Sequence, residues 1–221
     1  MTRELFHREL ADLQDEVLIL GSMTEKAILD AMEALRDGDQ TWSHKLIDDD
    51  KRINAKRFQI EEKCIFVIGS QQPMASDLRT LVSTLFIVTD LERMADHAEG
   101  IARINLLLGD EPLPRRLGYI PAMSDRVVAM LRDSLKAYLE KDIELSRRVC
   151  QADDEVDRLY DSVHDEAIRA MVADPGTIAR NTYMLWTSHN LERIADRCTN
   201  ICERVIYMVT GTMEEINVST Y

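Results

Sequence analysis

Apolar residues recur three and four positions apart over unusually long stretches of this chain. Leu10, Leu13, Val17, Leu20, Ile28, Met32 and Leu35 form one such row, and Leu185, Ile194, Ile201 and Val205 form another. That spacing puts each row on one side of a helix with 3.6 residues per turn. The rows break only where turn formers gather: at Asp37-Gly38-Asp39, 69–73, 109–121, Lys141-Asp142, Asp174-Pro175-Gly176 and Gly211. Six helices are therefore predicted, near 3–37, 41–68, 74–108, 122–140, 143–172 and 177–210. Helices of about 30 residues run about 45 Å, so an elongated bundle is expected.

Turn formers are densest in 109–121, where Gly-Asp-Glu-Pro-Leu-Pro is followed by Gly-Tyr-Ile-Pro. This is the expected boundary between two halves, 1–112 and 118–215. Shifting the chain by 100 residues lays Leu91-Glu92-Arg93-Met94-Ala95-Asp96 on Leu191-Glu192-Arg193-Ile194-Ala195-Asp196, with Leu85 on Leu185 and Ile101 on Ile201. At a shift of 103, Ala34 meets Ala137, Asp39 meets Asp142, Asp50 meets Asp153, and Ile53-Asn54 meets Val156-Asp157. The change of shift falls in the loop before each third helix. Each half is thus one unit of three helices, and the repeat restates charged residues as well as apolar ones.

Composition narrows the class. Eight Gly, five Pro and 5% aromatic residues, against many Leu, Ile, Met, Ala, Glu and Arg, favour helix over strand and predict an all-α protein. Asp and Glu number 40 against 27 Lys and Arg, a formal charge of -13. Such a surface repels a phosphate backbone, whose binding depends on Lys and Arg displacing counterions, so nucleic acid is not an expected partner. The opening residues lack a signal-peptide pattern, and no stretch approaches ~18 uncharged apolar residues. A cytoplasmic protein with four reduced cysteines, Cys64, Cys150, Cys198 and Cys202, is expected.

The candidate chemistry lies in the repeated carboxylates. Glu92 and Asp96, like Glu192 and Asp196, are four residues apart and project from one face of a third helix. The second helices add Asp48, Asp49, Asp50 and Asn54 in one half, and Asp153, Asp154 and Asp157 in the other. Crowded carboxylates need protons or cations, and all-oxygen ligation suits hard cations. The plainer alternative is a set of helix-surface ion pairs involving Arg79, Arg93, Arg193 and Arg197.

Four segments carry a resemblance. With Gln72-Pro73-Met74-Ala75-Ser76-Asp77-Leu78-Arg79, the two Leu-Glu-Arg-x-Ala-Asp motifs, and Asp196-Arg197-Cys198-Thr199-Asn200-Ile201-Cys202-Glu203, the chain resembles the PhoU family of phosphate-uptake regulators over nearly its whole length. The resemblance implies two similar three-helix bundles and a homodimer. It implies Glu92, Asp96, Glu192 and Asp196 as metal ligands, with Asp50, Asn54, Asp153 and Asp157 as companions, for iron or zinc, while the all-oxygen donor set suits manganese or magnesium as well. Asn54, neutral where the second half has Asp157, makes unequal occupancy of the two halves an expectation. The resemblance also implies restraint of phosphate uptake and signalling through the phosphate ABC transporter's ATPase subunit and a membrane sensor histidine kinase.

Other residues read more simply. His97 and His189 lie beside the motifs but have no counterparts in the other half, where Arg197 and Thr89 stand. Cys198 and Cys202, one turn apart, read as buried packing residues, and Arg79 as a surface residue or an anchor for the acidic cluster. No phosphate-cradling Gly-rich loop or nucleophile motif is present, so an enzyme is not expected. A carboxylate-bridged metallohydrolase and a metal-free dimerisation module are the rival readings.

Overall fold

The computed structural model describes residues 3–109 and 118–216, and its described residues form six α-helices and no strand. They are α1 Arg3–Asp37, α2 Gln40–Gln71, α3 Ser76–Leu108, α4 Ile120–Glu140, α5 Ile143–Ala173 and α6 Ile178–Thr210, with a single 3-10 turn at Pro175–Thr177 before α6. The Pro-rich part of the expected boundary, 110–117, lies outside the described residues.

Several boundaries move for identifiable reasons. Asp39 and Asp142, which the repeat superposes, are the N-caps of α2 and α5; their carboxylates accept from Trp42 N at 2.8 Å and Leu145 N at 2.9 Å. Gly69 does not end α2, which runs on to Gln71, because Gln72 takes the left-handed conformation and its N–H closes on Ile68 O. Pro121 lies inside the first turn of α4 instead of before it, where its missing N–H costs nothing. Asp174-Pro175-Gly176 folds into the 3-10 turn, with Asp174 Oδ1 accepting from Gly176 N.

The helices form two tandem three-helix bundles that share one continuous apolar core. α1, α3, α6 and α4 contact one another in a ring, with the broadest contact between α3 and α6. Among the described residues, α2 packs only on α1 and α3, and α5 only on α4, α6 and the 3-10 turn. The second helices therefore flank the ring, each beside the third helix of its own repeat.

Polar groups in the interior fix how these helices meet. Thr24 Oγ1 on α1 donates to Leu91 O on α3 at 3.1 Å, and Thr84 Oγ1 meets the buried Tyr138 hydroxyl of α4 at 2.9 Å. Asn105, 1% exposed, donates to Ala34 O at 3.0 Å, to Asp39 O at 3.2 Å and to Ser43 Oγ at 2.9 Å. One amide on α3 thereby holds the α1–α2 turn. Truncating it removes these bonds, each worth about 1 kcal/mol net, although Ala34 O and Asp39 O keep the backbone donors Asp39 N and Ser43 N. Asn105→Ala is expected to lower unfolding free energy by about 2 kcal/mol in urea titrations, with helicity unchanged.

Candidate metal centre

In the first repeat α2 and α3 bring Asp50 and Asn54 beside Glu92, Asp96 and Glu99. The three α3 residues share a face because their spacings are four and three. Asn54 Nδ2 donates to Asp50 Oδ2 at 2.7 Å. Asp50 Oδ1 is occluded, and no hydrogen-bond donor reaches it among the described residues. Burial, then the charges of Asp96, Glu99 and Glu92, push the Asp50 carboxyl up to about 6. Burial likewise raises Glu92, with Asp96 adding to it, and raises Asp96, with Glu99 adding to it. Arg57 and Arg93 oppose these charges, and the Arg57 guanidinium lies 3.7 Å from Glu92 Oε1 and 3.3 Å from Glu61 Oε1.

The second repeat reproduces the placement on α5 and α6. Asp153 and Glu192 are each 4% exposed, while Asp196 is part-buried and Asp157 exposed. Burial raises the Asp157 carboxyl, and Asp196 is the nearest added cause. Burial also raises Asp196, opposed by Arg193, whose Nη1 donates to it at 2.9 Å, and by Arg197. His189 Nδ1 is 3.5 Å from Glu192 Oε2. The counterparts of Arg57 and Glu99 are Tyr160 and Thr199, so the two acidic seams are chemically unequal.

These donors are all oxygens, and their mutual repulsion together with the bare Asp50 oxygen fits a hard cation. Among the described residues, no three Asp, Glu, His or Cys side chains are gathered closely enough to form a ready cage. Holding an ion therefore requires rotamer changes that turn carboxylates towards one point.

The neighbouring residues sort themselves. His97 Nδ1 donates to Asn190 Oδ1 at 3.0 Å across the α3–α6 contact, and burial lowers its pKa. Cys198 and Cys202 are buried free thiols, and burial pushes the Cys198 thiol well up. Arg79 does not reach the acidic cluster: its guanidinium packs beside Gly211, at the carboxyl end of α6, where a helix favours a cation. Arg197 lies 3.8 Å from Asp90 Oδ1 on α3 and also opposes the charge of Asp196 beside it. Arg57 and Glu99 are what reading the motifs missed. Their signal was faint: Glu99 follows Asp96 by three, and Arg57 follows Asn54 by three.

Tandem three-helix bundles with a repeated acidic third-helix motif define an all-helical protein of internal duplication. The PhoU domain model matches residues 17–104 and again 120–205, and the chain belongs to the PhoU family. A phosphate-specific transport system accessory protein PhoU homolog from Clostridium acetobutylicum is 40% identical over 98% of this chain and 100% of its own length. The accessory protein PhoU of Escherichia coli is 32% identical over 93% of this chain and 86% of its own. The crystal structure of PhoU from Pseudomonas aeruginosa superposes with a TM-score of 0.87 at 36% identity, covering 94% of this chain and all of that one. The phosphate transport system regulatory protein PhoU of Streptococcus pneumoniae reaches 0.89 at 31% identity, covering 95% and 99%.

The raised Asp50 sets a pH dependence. A carboxyl whose folded pKa lies near 6, against 3.8 when unfolded, costs stability above pH 6 and loses that cost as the pH falls towards 4. Asp50 is part-buried beside open solvent, so screening reduces the cost to roughly 1 kcal/mol. Asp50→Asn is expected to stabilise the protein by that amount at pH 7.5 and hardly at all at pH 4.5, measured by urea unfolding without added metal.

Proposed function

We propose that this chain is a negative regulator of phosphate uptake and phosphate-starvation signalling, a cytoplasmic metal-binding adaptor between the ATPase subunit of a phosphate ABC transporter and a sensor histidine kinase. The observation that carries the reading is the duplicated acidic seam, present once on α2 with α3 and once on α5 with α6. Its relatives are named as accessory proteins of a phosphate-specific transport system, which supplies the process. No helix among the described residues is long and apolar enough to cross a membrane. The adaptor accordingly reaches the membrane through its partners, and a homodimer would present the acidic seams in duplicate.

Asp50, Glu92 and Asp96, with Asn54 as a weaker neutral donor, would hold the ion of the first repeat. Asp153, Asp157, Glu192 and Asp196 would hold that of the second. A bound iron, zinc, manganese or magnesium ion supplies positive charge that offsets the crowded carboxylates. The chain's own residues then set the docking surface: Arg57 and Arg193 orient carboxylates at the two seams, and the buried acids keep the helix pairs in register.

Metal analysis after anaerobic titration with Fe, Mn, Zn and Mg tests this, using the wild type and the fourfold variant Glu92→Ala, Asp96→Ala, Glu192→Ala, Asp196→Ala. Stoichiometric binding by the wild type and at least tenfold weaker binding by the still-helical variant are expected. Equal binding by both, or none by either, removes the metal from the proposal. Binding of the wild type to the purified transporter ATPase subunit tests the adaptor role separately.

A further inference from the structure

The two repeats differ at both ends of their seams. Beside Asp50 the first repeat keeps a half-open groove of ≈ 200 Å³ over Ala27, between α1, α2 and α3. A shift of 103 puts Met130, 2% exposed, in the place of Ala27, and an Arg126–Glu155 ion pair between α4 and α5 in the place of Met23 and Arg52. Beside Glu92 the difference is one of chemistry, because the positions around it change from oxygen to nitrogen donors.

In the first repeat three side chains converge there. The Arg57 guanidinium lies 3.3 Å from Glu61 and 3.7 Å from Glu92, and Thr89 Oγ1 donates to Glu61 Oε1 at 3.5 Å. The tips of residues 61, 89 and 92 thus approach one place, and a cation from α2 occupies it. The second repeat puts His164, His189 and Glu192 at these positions, with Tyr160 instead of Arg57. Their own contacts agree with this placement. His189 Nδ1 is 3.5 Å from Glu192 Oε2, and the Tyr160 and His164 rings lie 6.4 Å apart between centres. Burial raises the Tyr160 hydroxyl, and the nearby charge of Glu192 adds to it. Two imidazoles and a carboxylate therefore surround the spot that a guanidinium fills in the first repeat, and the phenol that replaces it brings no positive charge.

The donor set decides what can take that spot. Imidazole suits borderline transition metals, whereas magnesium and calcium take oxygen donors. Two histidines and one glutamate make a zinc site when a fourth position is left to water. We infer that His164, His189 and Glu192 bind one borderline divalent transition metal such as zinc, on the side of the second seam that faces the α5–α6 turn. This site goes beyond the acidic seams and shares with them only Glu192, whose two oxygens can serve different ions. Glu192, 4% exposed, is the fixed ligand. His189, with 57% of its side chain exposed, and the exposed His164 turn onto the ion from neighbouring rotamers. The ion ties α5 to α6 and leaves the first repeat untouched, so the two halves answer to different metals.

The experiment follows the histidine ring resonances of the full, tag-free chain during titration with zinc. His164 and His189 are expected to shift together, while His7 and His44 stay in place. Calorimetry then compares the wild type with the double variant His164→Gln, His189→Gln, in which both changes fall at exposed positions. The variant is expected to lose one equivalent of zinc and to bind manganese as the wild type does. Zinc that shifts neither ring or only one overturns the site, and this readout needs no variant. Undiminished zinc binding by the double variant overturns it as well, and equal loss of zinc and manganese overturns its separation from the acidic seam. Should manganese bind neither protein while zinc still engages both rings, the acidic-seam reading fails and the imidazole site stands.

Discussion

The antiparallel contact between α3 and α6 is the constraint on which the rest of the molecule depends. Asp90 on α3 faces Arg197 at 3.8 Å and Asn200 at 3.4 Å, while Asn190 on α6 faces His97 at 3.0 Å. These pairs are related by an approximate two-fold axis, because Asn190 stands one repeat after Asp90 and Arg197 one repeat after His97. Gly100 lets the backbones approach: a Cβ there would come within 2.9 Å of Asn190 Oδ1. Burial raises the Asp90 carboxyl, opposed by its hydrogen bond from Asn200 and the Arg197 charge. A slip in register would strip a buried acid of these partners, which is far costlier than losing a surface pair.

Everything else hangs from that axis. With α3 and α6 at the centre and α1 and α4 completing the ring, the second helices have only flanking positions left. Each acidic seam must then lie on the outer side of its own bundle, part-buried by one helix pair and still open to solvent. Carboxylates in such a place are desolvated enough to repel one another strongly and exposed enough to be reached by a cation or a basic side chain. A regulator that responds to charge can be built on this balance without a closed active-site cavity.

The two repeats are not chemical copies of each other. The first carries Glu99, Arg57 and an open groove, whereas the second carries Thr199, Tyr160 and positions filled by Met130 and the Arg126–Glu155 pair. Duplication preserved the apolar positions that the ring needs and let the outer seams diverge.

Helix number, helix ends to within a few residues, the internal repeat and the acidic motifs were legible in the chain because each depends on neighbours in sequence: 3.6-residue periodicity, N-caps such as Asp39 and Asp142, and spacings of three and four. Gly69 misled, since a glycine within a helix costs only about 1 kcal/mol against alanine and tertiary contacts outweigh it. Arg79 misled because its position beside a motif in sequence said nothing of the ~50 Å that a 33-residue helix spans, and it ended by Gly211 instead of the carboxylates. Arg57 was only faintly signalled, and the three bonds of Asn105 and the groove over Ala27 were not visible at all, since each joins residues from helices far apart in the chain. The amino-acid order by itself determined the helices and the duplicated carboxylates, because local hydrogen bonding and periodicity are properties of adjacent residues. Only the tertiary structure decided which carboxylates meet, which cation opposes them and which seam stays open, because those depend on burial and through-space charge between helices whose register the α3–α6 contact sets.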